Sequence, residues 1–436
     1  MEYKPENQYC KSDDNKIYNN NISPINVEIS SVKNLNNKKY IKRENFYIKL
    51  FITIIYFALI ILIEREYRNY LFDKSLKFQE DIRKDHDKDS AFYRFWKFMS
   101  YFGENKITIT VFFIIFIFFP ISSSFLVLQT AVYAAFLTNF FKIIYRNGRP
   151  YWNSEILDIV CNPGYGNPSG HTMASTAYYL TITHILTNFQ FFKNSIKGKI
   201  LRVIIFILLI ILTALIILSR VLLGAHGINQ VLFGFTLGVG IYFIEIYILS
   251  YHTYQPNKFI NHITNIKVII IYMVIHIILL ILLIIFYFIL KNDQKIEYNI
   301  REHIFNGERC KIKPKYFWLK NDGFFQGLCI TAILGAHIGI ILLIFLLRKF
   351  NYVIDGNITE FNKSSIKRWL IRLPILIISA IFILIFFLIS GDSSLAIVFI
   401  FKSALSFFFT GLGVYFIGIF LSIHCNLANE NIKRIT

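Results

Sequence analysis

The sequence predicts an all-α fold: a multi-pass transmembrane bundle of about ten helices. Two observations carry the prediction. Of 436 residues, 55% are hydrophobic, with 45 Phe against only 9 Pro, and mean hydropathy is +0.50. Soluble domains average ~45–50% apolar residues, with runs broken by charge. Here apolar runs of roughly 18 or more residues recur, long enough for a helix to cross a bilayer.

Taken in order, residues 1–46 hold ten asparagines and mixed charge without apolar periodicity, which predicts a disordered cytosolic tail. Span one is expected at Tyr47–Ile63. A charged segment follows from Glu64 to Lys106, ending in aromatics (Phe92, Tyr93, Phe95, Trp96, Phe98) of the kind that settle at a membrane interface. Span two, Ile107–Pro120, is short. Span three is Phe125–Phe141, and a polar loop covers 142–170. Further spans are expected at Thr172–Phe189, Ile200–Leu218, Ile228–Leu249, Val268–Leu290, Phe324–Leu347, Trp369–Ser390 and Leu395–Ile423. The expected division is tail, membrane domain over 47–250, and a four-span region over 251–436.

Net charge is +19, but the basic residues are spread over loops rather than gathered on one face. Orientation by the positive-inside rule explains them better than nucleic acid, which is not expected as a partner. Lys33, Lys38, Lys39, Lys42 and Arg43 precede span one, and Lys193, Lys197, Lys199 and Arg202 share a loop without an acid. Both are placed in the cytosol. Loop 291–323, with eight basic and five acidic residues, falls on the outer side against the trend. Five cysteines show no metal-type spacing, and the first apolar run begins too late for a cleavable signal peptide.

Three polar islands interrupt the apolar runs, and the span order puts them at one membrane face. The first, Lys142 to Pro150, ends span three. The second, Gly164-Tyr-Gly-Asn-Pro-Ser-Gly-His171, opens span four. The third holds Ser219, Arg220, His226 and Gln230, between spans five and six. A glycine-rich helix N-terminus offers free N–H groups and a positive dipole end to an anion. Lys142 and Arg149, seven apart, share a face if the helix persists between them, and Arg220 adds a third cation. Arginine's planar fork suits phosphate oxygens. Two histidines supply a nucleophile and an acid, so phosphoryl transfer is the chemistry expected.

The pattern Lys-x6-Arg-Pro, Pro-Ser-Gly-His, Ser-Arg-x5-His over about residues 92–250 resembles the type 2 phosphatidic acid phosphatase (PAP2) superfamily. That superfamily includes lipid phosphate phosphatases, sphingosine-1-phosphate phosphatases, glucose-6-phosphatases and haloperoxidases. The resemblance implies a six-span helical core and no metal or cofactor. It makes His226 the nucleophile and His171 the general acid. Lys142, Arg149, Ser169, Gly170 and Arg220 become the phosphate ligands. Where the family usually has Asp, four residues after the nucleophile, this chain has Gln230. A glutamine can accept a hydrogen bond from the imidazole but brings no charge. Glucose-6-phosphatases are similar in that Gln, in the Gly-x-Gly-x-Pro-Ser-Gly-His form and in Tyr151-Trp152. The expected substrate is a lipid phosphate such as a sphingoid-base phosphate or phosphatidate, with glucose 6-phosphate next. A lipid phosphotransferase and a non-catalytic scaffold are the alternatives.

Other polar residues carry blander expectations. His276 and His337, within spans seven and eight, should form a hydrogen-bonded pair between packed helices. Glu245 and Lys402, near span ends, should snorkel. Arg146 should be surface, and Ser169 should also cap the helix it precedes. Cys161 and Cys310 fall on the outer side and a disulfide between them is not expected. The sequons at Asn357 and Asn362 lie in a predicted cytosolic loop and should stay bare. Lys433 and Arg434, near the C-terminus, resemble an endoplasmic-reticulum retrieval signal. Oligomeric state is left open.

Overall fold

The structure, a computed structural model, describes residues 24–87, 89–119, 121–154, 156–157, 164–188, 196–249, 265–291, 324–350, 352–358, 396–420 and 430–434. It divides into two units, Met1–Phe51 and Ile52–Thr436. The first is described from Pro24 onward, where its backbone is helical. Residues 1–23 of the expected tail fall outside the description.

Helix α1, Pro24–Asp85, does not stop where the apolar run ends at Ile63. Its charged extension has no Pro or Gly to break it, and its buried positions recur at helical spacing: Ile60, Glu64, Ser75 and Gln79. Helix α2, Ala91–Tyr101, is capped by Ser90, whose hydroxyl accepts from Tyr93 N–H. It buries Tyr93 and Ser100, and exposes Phe95, Phe98 and Tyr101. Helix α3, Asn105–Phe118, is short, as expected. Helix α4, Ile121–Tyr145, and the one-turn α5, Pro150–Asn153, follow.

Helix α6 is Gly170–Asn188, α7 is Ile196–Leu222, and α8 is Ile228–Phe243, continued by a π-helical turn over Ile244–Leu249. Helix α9, Ile266–Lys291, precedes the short α10, Phe324–Gly327, and α11, Ile330–Lys349. Helix α12, Ala396–Leu412, ends in a second π-helical turn. Strands β1, Tyr352–Ile358, and β2, Glu430–Arg434, pair antiparallel in a small ribbon. The expected span at Trp369–Ser390 lies outside the described residues.

Among the described residues, five stretches are long and apolar enough to cross a membrane: Ser122–Asn153, Ile196–Leu222, Ile228–Ile246, Ile266–Ile289 and Ile330–Leu347. The chain is a multi-pass membrane protein. Helix α6 is missing from that group because Thr172, Ser175, Thr176, Thr181 and Thr183 dilute its hydropathy. All five are buried in the protein rather than facing lipid.

Helices α11 and α12 run parallel, with Gly335 against Phe408, Gly339 against Leu412 and Gly411 against Ala332. Glycine at four-residue spacing permits this closeness, a common device where lipid supplies no hydrophobic drive. On the other side, α4 meets α9 through Tyr133 and His276, whose hydroxyl and Nε2 lie 2.9 Å apart. It meets α11 where the Cys329 thiol donates to the Val132 carbonyl. The expected His276–His337 pair is not made. The two His276 nitrogens go instead to Tyr133 and to the Tyr272 carbonyl, and the Tyr272 ring lies beside both histidines. Glu245 is fully buried rather than snorkelling, carried inward by the π-helical turn. The Lys402 side chain is outside the description, as are Cys161, Cys310 and Asn362.

Candidate active site

Helix α4 ends three residues after Lys142. Arg146 adopts φ 47°, a left-handed conformation that stops a helix, and its Nε donates to the Ile143 carbonyl. The condition on which Lys142 and Arg149 would share one helical face, that the helix persist between them, is therefore not met. Arg149 instead reaches the site through a turn, as the N-cap residue of α5 with Pro150 at the first helical position. Its guanidinium is almost fully buried. Nε donates to the Gly164 carbonyl at 2.6 Å, and Nη1 donates to the Ala225 carbonyl at 2.9 Å. Nη1 also lies 3.0 Å from His226 Nε2. One side chain thus holds all three islands in register.

The second island folds back onto the first, because Gly166 N–H donates to the Asn147 carbonyl at 2.8 Å. The peptide between Asn167 and Pro168 is cis. Ser169 occupies the N-cap position of α6: its carbonyl accepts from Met173 N–H, its own N–H donates to the Gln230 carbonyl, and its hydroxyl accepts from Thr172. Gly170 and His171 are the first residues of α6. A Cβ built on Gly170 would lie 3.9 Å from Lys142 Nζ, so the ammonium sits beside this helix start. The other side of His171 meets Gly103, where an added Cβ would come within 3.2 Å of the ring.

Two further glycines bring α8 against this loop. A Cβ at Gly234 would lie 2.7 Å from the Ser169 carbonyl oxygen, and one at Gly238 2.7 Å from that of Met173. The sequence signal was present as Gly-x-x-x-Gly in an apolar segment.

The third island is a helix C-terminus. Gly224, with φ 65°, closes α7 in a Schellman turn in which Arg220 O accepts from Ala225 N–H and Val221 O from Gly224 N–H. That turn presents His226. Arg220 donates through Nη1 to the Ser100 hydroxyl. Ser100, on α2, was not among the residues singled out from sequence.

His226 is 1% exposed. Its Nδ1 lies 2.9 Å from the Gly166 carbonyl and 3.2 Å from Gln230 Oε1, both acceptors. Its Nε2 faces Arg149, which can only donate. The partners therefore assign the proton to Nδ1 and leave the lone pair on Nε2. Gln230 is itself fixed, with Nε2 donating to the Gly148 carbonyl at 2.7 Å and Oε1 accepting from Gly227 N–H at 3.2 Å. Burial pushes His226 well below the usual histidine range, and the charges of Arg149, Arg220, Lys142 and His171 push it the same way. All the residues singled out from sequence (Lys142, Arg149, Ser169, Gly170, His171, Arg220, His226 and Gln230) converge on one locus. The arrangement is an imidazole whose Nε2 lone pair meets the Arg149 guanidinium, among three basic side chains and beside a helix N-terminus. It can take an anion.

Residues outside those islands also reach the site. Gln79 Nε2 on α1 donates to the Val221 and His226 carbonyls, at 2.9 and 2.8 Å. Asn167 Nδ2 donates to Glu64 Oε1 at 2.8 Å. Tyr151, Trp152, Leu157 and Tyr165 form a small buried cluster beneath, joined by Leu76.

Residues 123–254 match the PAP2 superfamily. Over 130 residues the chain is 31% identical to glucose-6-phosphatase catalytic subunit 1 of Rattus norvegicus and 32% to that of Mus musculus. Each match covers 26% of this chain and 36% of the relative, so the chain spans about a third of the length of the curated relatives it matches. The structure is also similar to a PAP2-type phosphatidylglycerolphosphate phosphatase from Bacillus subtilis. The TM-score is 0.39 at 19% identity, covering 44% of this chain and 94% of the other.

Proposed function

We propose that this chain, whose residues 123–254 match the PAP2 superfamily, is an integral-membrane phosphomonoesterase working through a phosphohistidine. The observation that carries the reading is the orientation of His226, whose Nε2 lone pair faces Arg149 while Nδ1–H is held by Gly166 and Gln230. Lys142, Arg149 and Arg220, with the backbone N–H groups of Gly170 and His171, bind the three non-bridging phosphate oxygens. Nε2 attacks phosphorus, the P–O ester bond breaks as the P–N bond forms, and His171 gives its proton to the departing alcohol. Neutral His171 then takes a proton from water as that oxygen attacks phosphorus. The P–N bond breaks, and inorganic phosphate leaves.

A sugar phosphate is the first choice of substrate. The curated relatives that match are glucose-6-phosphatase catalytic subunits, and Gln230 and Tyr151-Trp152 carry the resemblance to that branch noted in the sequence. This reverses the order expected from sequence, which rested on how many members of the superfamily act on lipids. A lipid phosphate is the second reading, supported by α2, which exposes Phe95, Phe98 and Tyr101 while Ser100 touches Arg220. A helix of that kind lies at a membrane interface. The site is read as facing away from the cytosol.

The test is phosphate release from glucose 6-phosphate, phosphatidate and a sphingoid-base phosphate, with His226→Ala as blank. An acid-labile phosphoprotein should form with wild type and not with the variant. Equal release by both removes His226 as nucleophile, and a labelled phosphoryl group on an added lipid alcohol would make the enzyme a transferase.

A further inference from the structure

Helix α1 lies outside the segment that matches the PAP2 superfamily, which begins at residue 123, yet one face of it touches all three islands. Glu64, Arg68, Phe72, Ser75 and Gln79 fall at spacings of four, four, three and four, a single helical stripe. Glu64 is fully buried and takes the Asn167 amide, in the loop that leads into Ser169 and His171. Arg68 pairs with Glu64 and lies 4.3 Å over the Tyr145 ring, at the end of the helix that carries Lys142. Phe72 and Ser75 close on Gly227, where an added Cβ would meet each at 3.0 Å. Gln79 bridges the carbonyls of Val221 and of His226 itself.

On the opposite side of the stripe Arg65, Glu66, Asp73, Lys74 and Lys77 are charged. This part of the charged segment is thus amphipathic in an unusual sense, with buried polar groups in place of apolar ones. A buried Gln and a buried Glu are costly unless bonded. Here Gln79 donates to backbone carbonyls of the turn that carries His226, and Glu64 accepts from the Asn167 side chain in the loop that leads to His171.

We propose that residues 64–83 of α1 are a working part of the active site, with Gln79 a positioning residue for His226 and Glu64 one for the His171 loop. This rests on the phosphatase reading. Gln79 touches no reacting atom. It fixes the peptide on either side of the Schellman turn, so that the imidazole Nε2 stays on the line to phosphorus. Misplacement of an attacking atom by about 1 Å can cost ~100-fold in rate. Substrate affinity depends instead on Lys142, Arg149 and Arg220, which Gln79 does not contact.

The experiment compares wild type, His226→Ala, Gln79→Met and Gln79→Glu as full-length purified proteins, using whichever ester wild type hydrolyses best. Gln79→Met keeps the shape and removes the donor. It should lower kcat about 10- to 100-fold with KM within about twofold, and slow phosphohistidine formation in a single turnover equally. A Gln79→Met kcat within twofold of wild type overturns the proposal while leaving the phosphatase reading in place. Wild-type release no greater than that of His226→Ala sinks both. Gln79→Glu decides the matter if the Met variant fails to fold. An ionised carboxylate cannot donate to two carbonyls, but a protonated one donates to one of them, so its activity relative to wild type should rise as pH falls. Parallel pH profiles for Gln79→Glu and wild type overturn the positioning role.

Discussion

Gln230 Oε1 lies 3.2 Å from His226 Nδ1, one helical turn away in α8, while Gln230 Nε2 is anchored 2.7 Å from the Gly148 carbonyl. The glutamine does the orienting part of a carboxylate's work without its charge. Gln230→Ala should lower kcat about 10- to 100-fold and leave the Gly148 carbonyl unpaired, at a cost of about 1–3 kcal/mol. Gln230→Glu adds a negative charge beside the ring, so the acid limb of kcat/KM should move to higher pH. An unmoved limb in that variant would contradict the placement of Gln230 against the ring.

His226 is held well below its ordinary value of 6.5, first by burial and then by Arg149, Arg220, Lys142 and His171. The unfolded chain takes up a proton near 6.5 that the folded chain refuses until lower pH. This contribution to stability is therefore complete above 6.5 and is lost as pH falls from there through the folded value. The unfolding midpoint should drop over that window, and less steeply in His226→Asn. The part of the acid limb of kcat/KM due to His226 should likewise lie below 6.5, once the phosphate's own titration is measured and subtracted.

Arg149 serves the Gly164 and Ala225 carbonyls and His226 Nε2 from one planar fork. A lysine, with a compact ammonium, cannot reach all three. Arg149→Lys should lower kcat by roughly 100-fold or more and reduce the unfolding midpoint, since each abandoned buried carbonyl costs about 1–3 kcal/mol. Near-normal turnover in this variant would show that charge alone suffices.

Gly234→Ala places a methyl 2.7 Å from the Ser169 carbonyl, so α8 must retreat from the start of α6. Overpacking of this kind costs about 1–3 kcal/mol, and the loop that carries His171 moves with it. Activity and unfolding midpoint should both fall. Gly413→Ala, where an added Cβ meets nothing within 4 Å, should leave both unchanged and serves as the control.

Asn357 lies in β1, in the stretch read as cytosolic. Expression in a glycosylating host should give no glycan-sensitive mass shift at this sequon. A shift lost in Asn357→Gln would reverse the assigned orientation.

The helical class and the convergence of the three islands were legible because both follow from local pattern: apolar length for the spans, and residue type at fixed spacing for the site. The left-handed turn at Arg146 was not, since an arginine in that conformation carries no compositional mark. The stripe on α1 went unread for a different reason. Its period was present, but apolar periodicity was the signal sought, and Glu64, Ser75 and Gln79 bury polar groups. Likewise His276 found a partner in Tyr133 rather than His337, because α4 stands between their helices and the catalytic core, a tertiary fact that spacing does not encode.

Helix α4 is a party wall. One flank carries Lys142 and lines the core, and the other gives Tyr133 to His276, Val132 to Cys329 and Ser124 to Tyr415. Cutting the chain after α8 would turn those groups toward acyl chains with no partner in exchange. The stretch that matches the superfamily is therefore no detachable cassette: its helices and those that follow depend on one another for solvation.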